Sequence, residues 1–236
     1  MRSRRTDPLS TGREVDRLMA FSDGVVAVAI TLMVIPLINL PPPSAGEQAY
    51  TVFTNNFGQF TIFLFTFFVV AVMWRIHSRN FAQIRGYDNT LFWLNVTWLA
   101  AIVLLPWLSS LYGDTSGFRH TDQNFSSTGT GAVDFLYWIL MASVSALGNL
   151  MGRHLRRNPQ LLLEGTEPRL VTGLARFRGA IMTGYFAFIG VVCLASPTVG
   201  SYLPLGIFVL VMWLKPRSEP VDVNTSGIPN ANGETS

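Results

Sequence analysis

Apolar residues fall in six long runs separated by polar, charged or proline-containing breaks. They predict helices at about 19–38, 56–76, 90–111, 131–151, 179–195 and 200–214. The first four reach the roughly 20 residues a helix needs to cross a hydrocarbon core, and the last two are short enough to stand nearly upright or to extend at one end. Asn39 and Pro41, Pro42 and Pro43 close the first run. Pro106 is expected to interrupt the third, and residues 196–199 read as a tight turn between the fifth and sixth. On a helical projection of the first run, Gly24, Val28, Leu32 and Ile35 share a stripe with Thr31 at its edge. Ala20, Gly24, Ala27 and Thr31 form an overlapping set small enough to let helices approach closely.

Composition turns these runs into membrane spans. With 49% hydrophobic and only 13% charged residues, the chain has too little charge to cover a soluble surface of its size. The expected fold class is therefore all-α, a polytopic membrane protein of six transmembrane helices. Sixteen mostly polar residues precede the first run, Asp23 stands at its entrance and no small-x-small cleavage pattern follows it, which argues against a secretory signal. The single cysteine, Cys193, lies inside an apolar run, so neither a disulfide framework nor a cysteine metal site is expected.

Charge then orients the spans. With the N-terminus inside, the inner segments hold Arg2, Arg4, Arg5, Arg13, Arg17, Arg75, Arg79, Arg85, Arg153, Arg156, Arg157, Arg169, Arg176, Arg178, Lys215 and Arg217, and the outer loops hold only Arg119. The positive-inside rule places both termini in the cytoplasm and requires an even number of spans. The basic balance is thus accounted for by orientation, and no nucleic-acid partner is expected. Residues 152–178 form the one sizeable inner connection, with room for a short interfacial helix. Residues 1–216 are expected to form the membrane domain and 217–236 a disordered tail.

The first span opens on an R-x-x-x-F-S-D string: Arg17, Phe21, Ser22 and Asp23, followed by "GVVAVAITLMV". Further on stand "WRIHSRNF", with Trp74, His77 and Phe81, and "DNTLFWLN", with Asp88, Leu91 and Asn95. In these segments the chain resembles the bacterial branch of the transmembrane protein 175 family, potassium channels that lack a P-loop. Spans four to six resemble it only in general character. The resemblance implies a homotetramer in a bacterial plasma membrane, with the first helix of each subunit lining a central ion path. It places rings of apolar side chains at Val28, Leu32 and Ile35 as the constriction, and a potassium-preferring threonine at Thr31, near which K+ would pass transiently. Potassium ions, membrane lipids and three further copies of the chain are the implied partners, with modest potassium selectivity and no cofactor. Val28 stands where a larger Ile or Leu is common, and the acidic residue that often follows the apolar run has no counterpart in "IPLIN".

Residue chemistry adds one expectation: Arg17, Asp23, His77 and Asn95 lie near the same membrane face and are read as a hydrogen-bonded clamp joining the first three helices. His77 is assigned a structural hydrogen bond ahead of a pH-sensing role. The remaining candidates are weaker. "TGYF" at 183–186 lacks the second glycine of a potassium filter and reads as packing. His120 and His154 have no ligand spacing between them, and Asp134 is read as a hydrated residue near an outer end. Neither a nucleophile triad nor a phosphate loop is present, so no enzyme activity is expected. The rival classes are a secondary transporter, disfavoured by a midplane nearly free of charge, and a non-conducting scaffold.

Overall fold

Prolines and polar breaks set where the helices stop, and hydrophobic length sets how far they run. The computed structural model describes residues 12–43, 46, 48, 50–115, 127–163 and 178–207. It contains α1 (Gly12–Leu32), α2 (Ile35–Ile38), α3 (Tyr50–Asn55), α4 (Phe57–Phe81), α5 (Asn89–Thr115), α6 (Ser127–Arg157), α7 (Arg178–Ala195) and α8 (Pro197–Tyr202). Single 3₁₀ turns follow α6 at Pro159–Leu161 and α8 at Leu203–Leu205. Five segments are long and apolar enough to cross a membrane: Gly12–Ile38, Phe57–Phe81, Asn89–Tyr112, Gly131–Arg157 and Arg178–Ala195. Residues 208–214 of the expected sixth span, and the tail at 217–236, lie outside the described residues.

Three boundaries differ from expectation. The first span is not one continuous helix: α1 ends at Leu32, and α2 begins at Ile35. Pro36 has no N–H to donate to the Leu32 carbonyl, and its ring crowds that turn. The chain tightens instead, with Met33 N donating to Ile30 O and Val34 N to Thr31 O, both at 3.3 Å. Conversely, Pro106 does not interrupt α5, which runs unbroken to Thr115. Neighbouring helices hold this segment together, and Ser109 Oγ donates to the proline's own carbonyl at 2.9 Å. The turn expected at 196–199 shrinks to Ser196, whose extended backbone (φ −154°, ψ 95°) leads directly into α8.

α5 sits at the centre of the bundle, packed against α1, α4 and α6. α6 packs on its far side against α7, which carries α8, so α1 lies at one edge of the protomer. One face of α4, Gly58, Ile62, Thr66, Val70, His77 and Phe81, is buried. An aromatic group locks α4, α5 and α6 together at the end away from the arginines. Tyr112 and Tyr137 stack at 4.6 Å, Trp138 meets Tyr137 edge-on at 5.0 Å, and Thr66 pairs with the Tyr137 hydroxyl at 2.7 Å. Because Thr66 gives its own proton to Ile62 O at 2.7 Å, Tyr137 is the donor in that pair.

Where α7 turns into α8, Gly200 lies so close to Cys193 that a side-chain carbon there would overlap the cysteine sulfur and stand 3.1 Å from its Cα. Gly200→Ala is expected to push α8 off α7 and cost about 1–3 kcal/mol, the usual penalty for overpacking. A thermal melt in detergent unchanged from the native protein would contradict this contact.

Candidate functional site

Two features of α1 define the site: a buried face that fixes the helix and an opposite face that is left exposed among the described residues. Val15, Leu18, Ser22, Val26 and Ala29 are buried, and Met33 just beyond the helix continues this face. They recur at spacings of three and four, the signature of one helix face.

The buried face is held by a directed chain of hydrogen bonds. His77 Nε2 lies 2.7 Å from Asn95 Oδ1. A carbonyl oxygen can only accept, so this nitrogen carries the proton. Asn95 Nδ2 donates to Ser22 Oγ at 2.9 Å, and Ser22 donates to Leu18 O at 2.8 Å. Ser22, His77 and Asn95 are all buried, and the imidazole is clasped between Phe81 and Trp98, each 4.3 Å away between ring centres. Beside this chain, Asp23 Oδ1 accepts from Trp74 Nε1 at 2.8 Å and from Ser78 Oγ at 3.4 Å. Together these bonds tie the middle of α1 to the end of α4 and the start of α5.

Of the four residues read as a clamp, the structure brings three into this assembly. Arg17 stands apart: it is exposed and makes no hydrogen bond or ion pair among the described residues. Phe21 also points away from the network and is exposed. Ser22 carries the link to Asn95 that the clamp reading had left to Arg17 and Asp23, because its hydroxyl is the group on α1's inner face within reach.

The uncovered face carries Ala20, Phe21, Gly24, Ala27, Val28, Thr31, Leu32 and Ile35. Val28 is 57% exposed, Leu32 42% and Ile35 45%. Ile35 belongs to α2, past the break, so its angular relation to Val28 and Leu32 is not that of a straight helix. Thr31 Oγ1 donates to Val28 O at 2.8 Å. With its proton spent inward, the hydroxyl presents oxygen lone pairs to whatever faces this side. The exposed side of α4 is bulky by contrast, with Leu64, Phe68 and Val72, while α5 exposes Trp93, Val103, Leu104 and Trp107 beside Thr97 and Ala100, and α7 exposes Phe188, Val191 and Leu194 beside Ala180 and Gly184. Bulky aliphatic and aromatic side chains suit lipid, and small residues mark close helix contact.

Two further groups escaped the reading of the sequence. Asp88 caps α5, accepting from Leu91 N at 2.8 Å, and its carboxylate also takes His154 Nε2 from the last turn of α6, at 2.8 and 3.0 Å. The two loops beyond them pair as well. Arg85 N donates to Leu161 O and Leu163 N to Gln83 O, both at 2.9 Å, so the connections after α4 and α6 form one unit. Asp134 is fully buried, not hydrated as expected. The "TGYF" segment lies within helix α7 with Phe186 buried, so it is not a filter loop. His120 lies outside the described residues, and no group of three or more metal-ligating side chains occurs among those described.

Residues 17–106 match the sequence model of a family described as endosomal/lysosomal potassium channel TMEM175. That stretch begins at the first residue of the R-x-x-x-F-S-D string and contains every member of the network above. A protein named as a potassium channel from Streptomyces collinus is 25% identical over 188 residues, 78% of this chain and 85% of that one. Another potassium channel, from Chamaesiphon minutus, is 32% identical over 103 residues, 43% of this chain and 50% of its own length. The zebrafish protein named endosomal/lysosomal proton channel TMEM175 is 29% identical over 102 residues, which span 43% of this chain and 20% of the relative. Among solved structures, a Chamaesiphon minutus homologue of TMEM175, described as a lysosomal potassium-selective channel, shares the fold. Its TM-score is 0.56 at 21% identity, covering 86% of this chain and 96% of that one.

Proposed function

Since the chain belongs to the TMEM175 family, we propose that it is a potassium-permeable channel of a bacterial plasma membrane in which four copies place α1 around a common axis. The observation that carries this reading is the uncovered face of α1 at the edge of the protomer. There Ala20, Gly24, Ala27 and Thr31 leave room for close helix approach beside the apolar Val28, Leu32 and Ile35, whereas the exposed face of α4 carries Leu64, Phe68 and Val72. Four such faces turned inward would bring Val28 and Leu32 into successive apolar rings, with Ile35 beyond the break. A ring of that kind leaves too little room for a hydrated ion and favours dewetting, which makes it a hydrophobic gate.

A cation that sheds part of its water needs oxygen in exchange. Thr31 supplies four hydroxyl oxygens with their lone pairs unspent. Pro36 supplies a second source, because its missing N–H leaves the Leu32 carbonyl without its usual helical donor. Neutral oxygens at this spacing act more weakly than a dedicated carbonyl filter, so the selectivity of K+ over Na+ is modest. The network of Ser22, Asn95 and His77 binds no ion in this scheme. It fixes the rotation of α1, and therefore which side chains meet the axis.

Flux through purified protein in liposomes tests the proposal. Rapid, uncoupled K+ flux that exceeds Na+ flux is the expected result, with a homotetramer by native mass spectrometry. Saturable flux coupled to a second ion would make the protein a transporter, and no flux of any ion would leave a scaffold. A proton-sensitive dye belongs in the same assay because the vertebrate relatives are named proton channels. Proton flux without potassium flux would overturn the potassium assignment while keeping the channel.

A further inference from the structure

The hydrogen bonds between neighbouring helices join the middle of α1, the end of α4, the start of α5, the end of α6 and the start of α7, so the first half of α1 leads to the same end of the bundle. Arg13, Arg17, Arg75, Arg79, Arg85, Arg153, Arg156, Arg157 and Arg178 all lie there. The described carboxylates at that end are few. Asp23 is engaged by Trp74 and Ser78, Asp88 by His154, and Glu14 and Asp16 lie on the first turns of α1. The facing ends of α4 and α6 therefore carry five arginines and no acid.

Within this patch one place has the shape of a receptor. Gly152 on α6 leaves a shelf beside α4, and a carbon placed on it would lie 3.5 Å from an Arg156 guanidinium nitrogen and 3.8 Å from the Asn80 amide nitrogen. Arg156, itself exposed, thus lies back one turn over the glycine. Two hydrogen-bond donors from two helices converge over the shelf, and neither has an acceptor among the described residues. Below them Phe68, Val72 and Ile76, each more than half exposed, occupy successive turns of α4 leading up to Asn80. A basic, donor-lined shelf at the head of an exposed apolar track matches an amphiphile with an anionic head and a hydrocarbon tail.

We propose that the Gly152 shelf, with Arg156 and Asn80, binds the phosphate of an anionic phospholipid whose acyl chain lies along Ile76, Val72 and Phe68. This rests on the membrane-spanning reading but not on conduction. Native mass spectrometry of the purified full-length protein, titrated with phosphatidylglycerol or with phosphatidylcholine of the same chains, tests it without measuring any current. Preferential retention of phosphatidylglycerol is expected. Arg156→Gln should weaken it about fivefold, the factor one arginine near an anionic lipid surface contributes. Gly152→Leu should weaken it at least as much although no charge changes, and Arg13→Gln should leave it unaltered. The same spectra report the oligomer mass, and if Gly152→Leu does not assemble, Arg156→Gln alone decides. Equal retention of the two lipids, native affinity in Arg156→Gln, or displacement of the lipid by equimolar glycerol phosphate would overturn the site.

Discussion

Leu32→Ala is expected to raise potassium flux through the reconstituted channel about tenfold, which corresponds to lowering the barrier by about 1.4 kcal/mol. In the proposed tetramer, four leucines turned to one axis would expel water from the space between them. Trimming each to a methyl group widens the ring and lets water stay, so the ion no longer crosses a dry segment. Leu64→Ala supplies the control. It is the same substitution at a residue of similar exposure, on the bulky face of α4, and it should leave flux unchanged. Val28→Ala should act in the same direction as Leu32→Ala but less, since valine fills less of its ring than leucine. Equal fluxes in native, Leu32→Ala and Leu64→Ala proteins would mean that α1 shows this face to lipid, and the gate would be lost.

The contrast between the two leucines also shows why periodicity alone could not choose a pore wall. In isolation, Gly24, Val28 and Leu32 form a stripe that any packed helix could carry. What distinguishes them is that α1 lies at the edge of the bundle and buries the other side, with Ser22, Val26 and Ala29 turned to its neighbours. That fact depends on contacts with α4 and α5, more than 30 residues away in sequence.

The spans themselves were legible because hydrocarbon thickness imposes a length that composition records directly. Facing was much less so. α4 and α5 are apolar nearly all round, and a helix of that kind gives no signal of which side meets protein and which meets lipid. For this reason the pattern does not single out Thr66, Tyr137 or Tyr112, although their hydroxyls and rings organise one end of the bundle. The place of Asp134 near a span end implies hydration, yet it is buried, because a position in sequence does not report depth inside a bundle. The break after Leu32 did have a signal in Pro36, and the missing N–H was enough to foresee it. The R-x-x-x-F-S-D string marked the correct neighbourhood but not the division of labour within it. Arg17 and Phe21 face outward, and Ser22, the least conspicuous member, makes the buried link to Asn95. The pairing of Asp88 with His154 joins residues 66 positions apart, beyond any local pattern.

Asn95→Ala is expected to be among the most damaging single changes in the core, lowering stability by about 3 kcal/mol. Asn95 is the hinge of the chain, accepting from His77 and donating to Ser22 at the same time. Its removal strands the His77 N–H between Phe81 and Trp98, where water does not reach, and takes away the donor that Ser22 Oγ accepts. Each buried polar group left without a partner costs about 1–3 kcal/mol. Ser22→Ala should cost less, about 1–2 kcal/mol, because it leaves the bond between His77 and Asn95 in place and orphans only one N–H. For a chain of this length the Asn95 variant should melt roughly 6–12 °C below the native protein, at about 2–4 °C per kcal/mol. Tryptophan fluorescence can follow the transition because Trp98 stacks on the imidazole. The order matters more than the absolute values. If Ser22→Ala proved as harmful as Asn95→Ala, the bond between α1 and α5 would be the sole support. If neither moved the melt, the rotation of α1 would have to be fixed by packing alone.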